Sequence, residues 1–135
     1  MTSVFLRRTS SAYASHRKRA RAALGLHALP YTLEEFREWW NQQIGDQVIA
    51  RCCYCNTLLS DYDLYCDHAV PLNRGGSAAL ANLRPCCARD NEIKGRMTEN
   101  EYKDLLALLD RMPVARADVM ARLRAGAGRH MRAGR

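Results

Sequence analysis

Apolar and polar residues follow a helical period after Pro30. Thr32 and Glu35 are spaced as a capping box, in which the side chain of each residue bonds to the backbone N–H of the other. The apolar residues that follow share one stripe, which is the spacing of a helix packed on a core: Leu33, Phe36, Trp40 and Ile44. We therefore predict a helix to about Ile44. Trp39 lies off the stripe, and partial burial under a loop is favoured over stacking on a base or partner.

A second capping box, formed by Thr98 and Glu101, predicts another helix. Its inward residues recur at helical spacing: Tyr102, Leu105, Leu106 and Leu109. Pro113 breaks this helix, and a last helix is predicted to reach about Leu123. The residues beyond it are rich in Arg, Gly and Ala and lack periodicity, so we predict that they are mobile.

The start of the chain has a weaker pattern. Residues 1–9 are predicted to be poorly ordered. Thr9, or one of the two serines after it, is a candidate N-cap for a helix through about Leu24, which Gly25 would end. This helix would have a weak apolar face and a basic one.

The middle of the chain changes from a helical to a strand-like pattern. Residues 64–70 alternate between apolar and polar types and predict a strand that stops at Pro71. The glycines at 75–76 predict a turn in the loop that follows. A short polar segment from about Cys87, with Gly95 in the C-cap position, predicts a short helix.

The spacing of the cysteines predicts a metal site in this segment. Cys52 and Cys55 form a Cys-x-x-Cys pair, which can grip one zinc ion from a tight turn while a second pair completes the tetrahedron. Cys86 and Cys87 follow about thirty residues later. The strand, loop and helix therefore lie between the two zinc arms. The remaining cysteines have no partner at this spacing and are predicted to be buried free thiols: Cys53 and Cys66.

This arrangement resembles the HNH nuclease family. The positions that match its motif are Asp67-His68, Pro71-Leu72, Gly75-Gly76, Asn82-Leu83, Asn91 and Lys94-Gly95. The resemblance implies an α+β fold, with a small ββα-metal (His-Me finger) core and a structural zinc knuckle, flanked by N- and C-terminal helices. We expect a basic N-terminal arm and helix over residues 1–31, the nuclease domain over 32–112, and a C-terminal helix with a basic flexible tail over 113–135.

By position, the resemblance makes His68 the general base, Asp67 and Asn91 the ligands of a catalytic divalent cation, and Asn82 the brace of the loop that orients His68. An imidazole with an ordinary pKa of about 6.5 suits the base role. Mg²⁺, Mn²⁺ or another divalent ion prefers such oxygen ligands. The implied activity is endonuclease hydrolysis of phosphodiester bonds in DNA, with RNA left open.

The chain departs from the family pattern at the second zinc knuckle. The family usually has Cys-x-x-Cys there, but this register gives Cys87-Ala-Arg-Asp90. Because zinc accepts a carboxylate oxygen, we expect a structural zinc site formed by Cys52, Cys55, Cys87 and Asp90. Cys86 is the alternative fourth ligand, although two adjacent ligands on one ion strain the backbone. A lost or weak zinc site is the third possibility.

The formal net charge is +7, and both ends of the chain carry it. Six Lys or Arg and no acid precede Gly25, and six Arg with one Asp follow from Arg116 onward, so 13 of the 14 acids lie between. Cationic ends of this kind bind polyanions through their phosphates, although a solvated surface is the plainer alternative. The predicted nucleic-acid contacts are Lys94 and Arg96 after Asn91, and Arg17, Lys18, Arg19 and Arg21 in the first helix.

The sequence says less about the cellular location and the binding partners of the protein. No apolar run approaches the roughly twenty residues that span a bilayer, and no apolar signal segment is present, so we expect a soluble protein with reduced thiols. The cytoplasm of a bacterial or phage-infected cell is favoured, with mitochondrial or nuclear targeting left open. We expect a monomer or homodimer that binds DNA and no membrane. The alternatives are a catalytically inactive zinc-knuckle nucleic-acid-binding protein and a disulfide-stapled secreted nuclease or toxin.

Overall fold

The computed structural model describes residues 3–44, 50–60 and 65–133, with all their side chains except those of 44 and 127–133. In this part of the chain, helices combine with two small antiparallel sheets, which is the predicted α+β class. The helices are α1 (Ser3–Leu24), α2 (Leu33–Ile44), α3 (Ala88–Lys94), α4 (Glu99–Asp110) and α5 (Pro113–Ala133). The strands are β1 (Ala50–Arg51), β2 (Leu58–Leu59), β3 (Tyr65–His68) and β4 (Leu83–Cys86).

Strands β3 and β4 and helix α3 form a ββα unit, as the resemblance implied. The residue pattern predicted β3, the loop and α3, but not β4. β3 pairs antiparallel with β4, with Asp67 opposite Arg84 and His68 opposite Leu83. β3 is shorter than the predicted strand of residues 64–70, of which residue 64 lies outside the described residues. Cys87 is the N-cap of α3 and Gly95 its C-cap, as the sequence predicted.

Two apolar cores hold this unit from both sides. The first lies among α1, α2 and the two sheets, and its buried members include Phe5, Phe36, Trp40, Leu59, Leu83 and Cys86. The second lies among α3, α4 and α5, and it consists of Ile93, Tyr102, Leu106, Leu109 and Met120. The ββα unit is therefore packed between an N-terminal and a C-terminal helical layer.

Both predicted capping boxes are present. Glu35 N–H donates to Thr32 Oγ1 and Thr32 N–H donates to the Glu35 carboxylate, at 3.1 and 3.3 Å. Thr98 and Glu101 make the same reciprocal pair at the start of α4. Trp39 is half-buried and stacks on the Phe36 ring at 5.9 Å between centroids, which agrees with the packing interpretation.

The predicted start of the first helix was wrong. α1 begins at Ser3, six residues before the first proposed N-cap. The reason is packing, because the Phe5 ring is buried edge-on against Trp40 of α2, at 6.4 Å between centroids. Thr9 does not cap the helix; its hydroxyl donates to the Phe5 carbonyl at 2.8 Å within the helix.

The predicted end of the last helix, near Leu123, was also wrong. α5 continues past Leu123 to Ala133. Its composition explains this, because Ala, Arg, Leu and Met have high helix propensity even without an apolar stripe. The Arg124 guanidinium also pairs with Glu92 of α3 at 2.8 Å, which fixes α5 beyond the predicted end. Among the described residues, none of the helices has the length and apolar character needed to cross a membrane.

The loop after β3 is closed by two adjacent glycines with different roles. Gly75 has φ +87°, a left-handed conformation that side chains disfavour. Gly76 has no such conformation, but a Cβ added there would lie 1.8 Å from the Val70 carbonyl oxygen. The backbone of the loop therefore folds back onto the residues that directly follow His68.

We predict that Gly76→Ala lowers the free energy of unfolding by more than about 2 kcal/mol, because a backbone clash cannot relax by side-chain rotation. Gly126→Ala is the matched control, since the added Cβ at that position meets nothing within 4 Å. In helix α5 this control should be neutral or stabilising, by up to about 1 kcal/mol. Urea denaturation of both variants measures the difference, and equal stabilities would contradict the close approach.

Candidate metal sites and catalytic centre

Four potential metal ligands converge between the first hairpin and the start of α3. Cys52 follows β1, and Cys55 lies in the turn before β2, which Asn56 closes with a left-handed φ of 61°. Cys87 and Asp90 come from the N-cap and first turn of α3. One ligand atom of each of these four residues lies within 4.8 Å of the others.

The separations within this cluster suit a tetrahedral zinc site. Sulfur atoms bound to one zinc at about 2.3 Å lie about 3.8 Å apart, and the Cys55 and Cys87 sulfurs are 3.8 Å apart. The Asp90 Oδ2 atom lies 3.1 Å from Cys87 Sγ and 3.4 Å from Cys52 Sγ. Three sulfurs and one carboxylate oxygen are an accepted zinc donor set, so the residues fit the ion.

Asp90 is held in place from its other side. Tyr102 of α4 donates its hydroxyl proton to Asp90 Oδ1 at 2.5 Å, and both side chains are buried. Burial alone raises the pKa of Asp90, but the hydrogen bonds from Tyr102 and the neighbouring thiols outweigh it and leave the pKa below its usual value. The carboxylate is therefore ionised, as a metal ligand must be, and Tyr102 orients it.

The other cysteines lie outside this cluster. Cys86, the alternative fourth ligand, is fully buried in the first apolar core at the end of β4. Cys66 is also buried there, and Cys53 is half-buried. All six cysteines are free thiols in the structure, so no disulfide accompanies the fold.

Asp67 is engaged by two side chains. Its Oδ2 atom accepts a hydrogen bond from the Tyr54 hydroxyl at 3.0 Å and pairs with the Lys94 ammonium at 3.0 Å. Burial raises the pKa of Asp67 above its ordinary value, against the lowering effect of Lys94 and Tyr54. Burial, followed by the nearby charge of Asp67, also raises the pKa of Tyr54, which remains a proton donor.

The Lys94 prediction needs correction. Sequence position suggested a phosphate contact, but the Lys94 side chain is only 1% exposed. Its ammonium lies on Asp67 and donates to the His68 carbonyl oxygen at 3.0 Å. A buried ammonium that is already paired and hydrogen-bonded supports the backbone of β3 and is not presented to a phosphate at the surface.

His68 is buried beneath α1. His68 is 8% exposed. The centre of its ring lies 5.6 Å from the centre of the His16 ring. Burial, and then the charges of Arg19 and Lys94, lower the pKa of His68 to about 4. His16 is held through its Nδ1 atom, 3.1 Å from the Tyr31 hydroxyl. Burial, followed by His68 and Arg19, lowers the pKa of His16 to about 4 as well, so both rings are neutral at pH 7.

Asn82 ties the two ends of the loop together. Its amide nitrogen donates to the carbonyls of Val70 and Ser77 at 2.9 and 2.8 Å, and its Oδ1 accepts from Val70 N–H at 3.0 Å. The Asn82 backbone carbonyl also accepts from Ala69 N–H at 2.8 Å. The side chain therefore fixes the backbone that follows His68 and contacts the loop, not the imidazole.

The remaining predicted site residues divide by exposure. Asn91 lies on α3, is half-buried, and lines a cavity beside α1. The predicted phosphate contacts other than Lys94 are exposed: Arg17, Lys18, Arg19, Arg21 and Arg96. Of these, Arg19 lines the same cavity as Asn91.

Three residues that complete the centre were not predicted as site residues. Tyr54 contacts Asp67, Tyr102 orients Asp90, and His16 contacts His68. His16 and Tyr102 carried a usable signal, because each shares helical spacing with other buried residues of its helix: Phe5, Thr9 and Ala20 in α1, and Leu106 and Leu109 in α4. A histidine on the buried stripe of a helix marks a packed ring, although the stripe does not show what the ring packs against.

We predict that Lys94→Met lowers the free energy of unfolding by about 3 to 5 kcal/mol, because it leaves the Asp67 carboxylate buried without its partner. Lys103→Met is the matched control, since Lys103 is 52% exposed and pairs with Glu99 on the surface of α4. The control should cost no more than about 0.5 kcal/mol. Chemical denaturation compares the two, and similar losses would contradict the buried pair.

We also predict that elemental analysis finds about one zinc per chain, as expected for a closed four-ligand site. Cys52→Ser should remove most of this zinc and lower the melting temperature, since structural zinc contributes folding energy. Cys53→Ser is the neighbouring control outside the cluster and should retain the metal. Zinc lost equally from both variants, or absent from a fully stable wild type, would contradict the assignment.

Comparison with known proteins agrees with this geometry. A search among curated proteins finds no match to the chain. The family model described as HNH endonuclease matches residues 48–97, which include the four-residue cluster, the β3 and β4 strands and α3. Over residues 48–97, the chain is therefore similar to the HNH endonuclease family.

Proposed function

We propose that this protein is a metal-dependent HNH endonuclease that hydrolyses phosphodiester bonds in DNA. The family match supports a nuclease-type function on nucleic acids. The observation that carries the finer proposal is the placement of the motif residues on one ββα unit, where Asp67 and His68 lie on β3, Asn82 closes the loop and Asn91 lies on α3.

In this proposal His68 is the general base. A neutral imidazole can accept a proton from water at a ring nitrogen, and a positioned base of this kind contributes on the order of 10²–10⁴-fold to the rate. Asn82 fixes the backbone on the carboxyl side of His68, and Lys94 holds the His68 carbonyl. The position of the imidazole therefore depends on both residues.

Asp67 and Asn91 would hold the divalent ion, which is Mg²⁺, Mn²⁺ or another divalent cation. Their carboxylate and amide oxygens are the hard donors that such ions prefer. The ion, when bound, stabilises charge on the phosphate and promotes deprotonation of water. Lys94 pairs with Oδ2 of Asp67, so its ammonium opposes a second cation at the same carboxylate. We expect the divalent ion to bind weakly without nucleic acid.

The zinc cluster would have a structural role in the same proposal. Cys52 and Cys55 belong to the first hairpin, whereas Cys87 and Asp90 belong to α3. An ion held by all four joins two segments separated by the whole β3–loop–β4 region. Because each sheet has two strands in the described part of the chain, this link would supply rigidity that the sheets cannot provide alone.

The basic helical residues supply the proposed contact with DNA. Arg17, Lys18, Arg19 and Arg21 are exposed on α1, and Arg96 is exposed after α3. Contacts of this kind bind phosphates without reading base sequence, so we propose weakly specific DNA cleavage. As a monomer the protein would nick one strand, and as a homodimer it would make paired cuts.

A catalytically inactive nucleic-acid-binding protein is the second candidate, and two observations favour it. His68 is buried under α1, and the proposed ligand Asp67 is already paired with Lys94. Such a protein would keep the zinc cluster and the basic surface, and it would not cut DNA.

Plasmid nicking with added Mg²⁺ or Mn²⁺ separates the two candidates. We predict that His68→Ala reduces the cleavage rate by about 10²–10⁴-fold, because it removes the general base. His27→Ala is the control, since His27 is exposed and carries no motif; it should cut at the wild-type rate. Equal cutting by wild type and His68→Ala, or no cutting by wild type over a range of divalent metals, would favour the inactive binder.

A further inference from the structure

α1 belongs to the candidate centre although it lies outside the segment that the family model matches. The matched segment begins at residue 48, whereas α1 ends at Leu24. Through His16 the helix contacts His68, and through Phe5 it is anchored in the first apolar core. α1 therefore has a fixed position beside the ββα unit, and its side chains are part of the surface that substrate would meet.

A cavity of about 180 Å³ separates α1 from β3 and α3. Its polar lining consists of Arg8, Ser11, Ser15, His16 and Arg19 from α1 and Asn91 from α3, and the rest of the wall is apolar or aromatic. This volume is below the roughly 300–1,000 Å³ of sites for drug-sized ligands. It suits one small polar group better than a complete nucleotide.

The chemistry of the lining favours an anion. Arg8 and Arg19 carry positive charge, the two serines supply hydroxyl donors, and Asn91 supplies an amide. Among the described residues that line the cavity there is no Asp or Glu. These are the side chains that contact phosphate in protein–DNA complexes, where Arg pairs with it most strongly.

Arg8 contacts the wall of the cavity that β3 forms. Its guanidinium carbon lies 5.5 Å from the centre of the Tyr65 ring on β3. A cation over an aromatic face is attracted to the ring, so Arg8 spans from α1 to the first residue of the catalytic strand. The cationic side of the cavity is thus tied to the strand that carries Asp67 and His68.

We infer that this cavity binds a backbone phosphate of the DNA, next to the phosphate that is cut. The inference rests on the proposed function, since it takes DNA as the substrate, and it assigns α1 a specific part in substrate positioning. Asn91 lies at the junction, because it lines the cavity and is also a proposed ligand of the divalent ion. A phosphate held here would lie beside Asn91 and His16, and the His16 ring is 5.6 Å from the ring of His68.

Blocking the cavity without changing charge is the direct test. Ser15→Leu adds bulk to the lining, whereas Ala14→Leu adds more at the neighbouring exposed position outside the lining. The affinity for a short labelled DNA duplex is measured by fluorescence anisotropy in buffer without divalent ions, so that no cleavage is required. We expect Ser15→Leu to weaken binding by about tenfold to a hundredfold, the range for a lost charged hydrogen bond, and Ala14→Leu to bind as wild type.

Two variants that each remove one positive charge provide a second test. Arg19→Gln should lower the slope of log Kd against log salt by about 1, as expected for one lost phosphate contact. Arg7→Gln makes the same charge change at an exposed position of α1 outside the lining, and it should change the slope less. Melting temperatures close to wild type show that each variant is folded.

The outcomes separate this inference from the proposed nuclease activity. Weaker binding by Ser15→Leu and Arg19→Gln than by their controls supports the phosphate site, whether or not the protein cuts DNA. Equal binding by Ser15→Leu and Ala14→Leu, or equal slopes for the two arginine variants, overturns it even if the wild type cleaves DNA. A folded wild type that binds no duplex overturns it too, and metal-dependent nicking decides separately whether the protein is a nuclease.

Discussion

The convergence of Cys52, Cys55, Cys87 and Asp90 is the constraint on which the rest of the centre depends. Within the described residues, each of the two sheets has two strands, and the first hairpin pairs only Ala50 with Leu59 and Arg51 with Leu58. A metal ion shared by the hairpin and α3 would connect them with bonds that are much stronger than the packing of a short strand. Tyr102 extends this constraint to α4, because its hydroxyl fixes the orientation of the Asp90 carboxylate.

A second constraint comes from the buried charge at Asp67. An unpaired carboxylate in this position would be costly, and the Lys94 ammonium and the Tyr54 hydroxyl compensate for its burial. Lys94 also holds the His68 carbonyl, so one side chain sets both the local charge and the path of β3. The same contact opposes a divalent ion at Asp67. The ion pair that stabilises the buried Asp67 carboxylate would therefore weaken the binding of the proposed divalent ion.

Helix α1 contacts His68 and also lines the proposed phosphate cavity. The helix buries His68 behind His16, and it also contributes the arginines and serines of the adjacent cavity. Exposure of His68 to a phosphodiester and occupation of the cavity would both take place at the same helix surface. Nucleic-acid binding and access to the imidazole are thus expected to depend on one element that lies outside the matched segment.

The sequence by itself determined the local elements and the chemistry of the motif. Both capping boxes and the strand and helix around the motif follow from residue type and spacing, because their partners are a few residues away or repeat a known pattern. The family pattern favoured Cys52, Cys55, Cys87 and Asp90 as the metal cluster and left Cys86 open as the fourth ligand; the structure brings Asp90 to the three sulfurs. Only the tertiary structure decided that Lys94 is buried on Asp67, that α1 starts at Ser3 and that His16 covers His68. These contacts join residues separated by tens of positions, and their energy comes from packing and charge burial, which local periodicity does not encode.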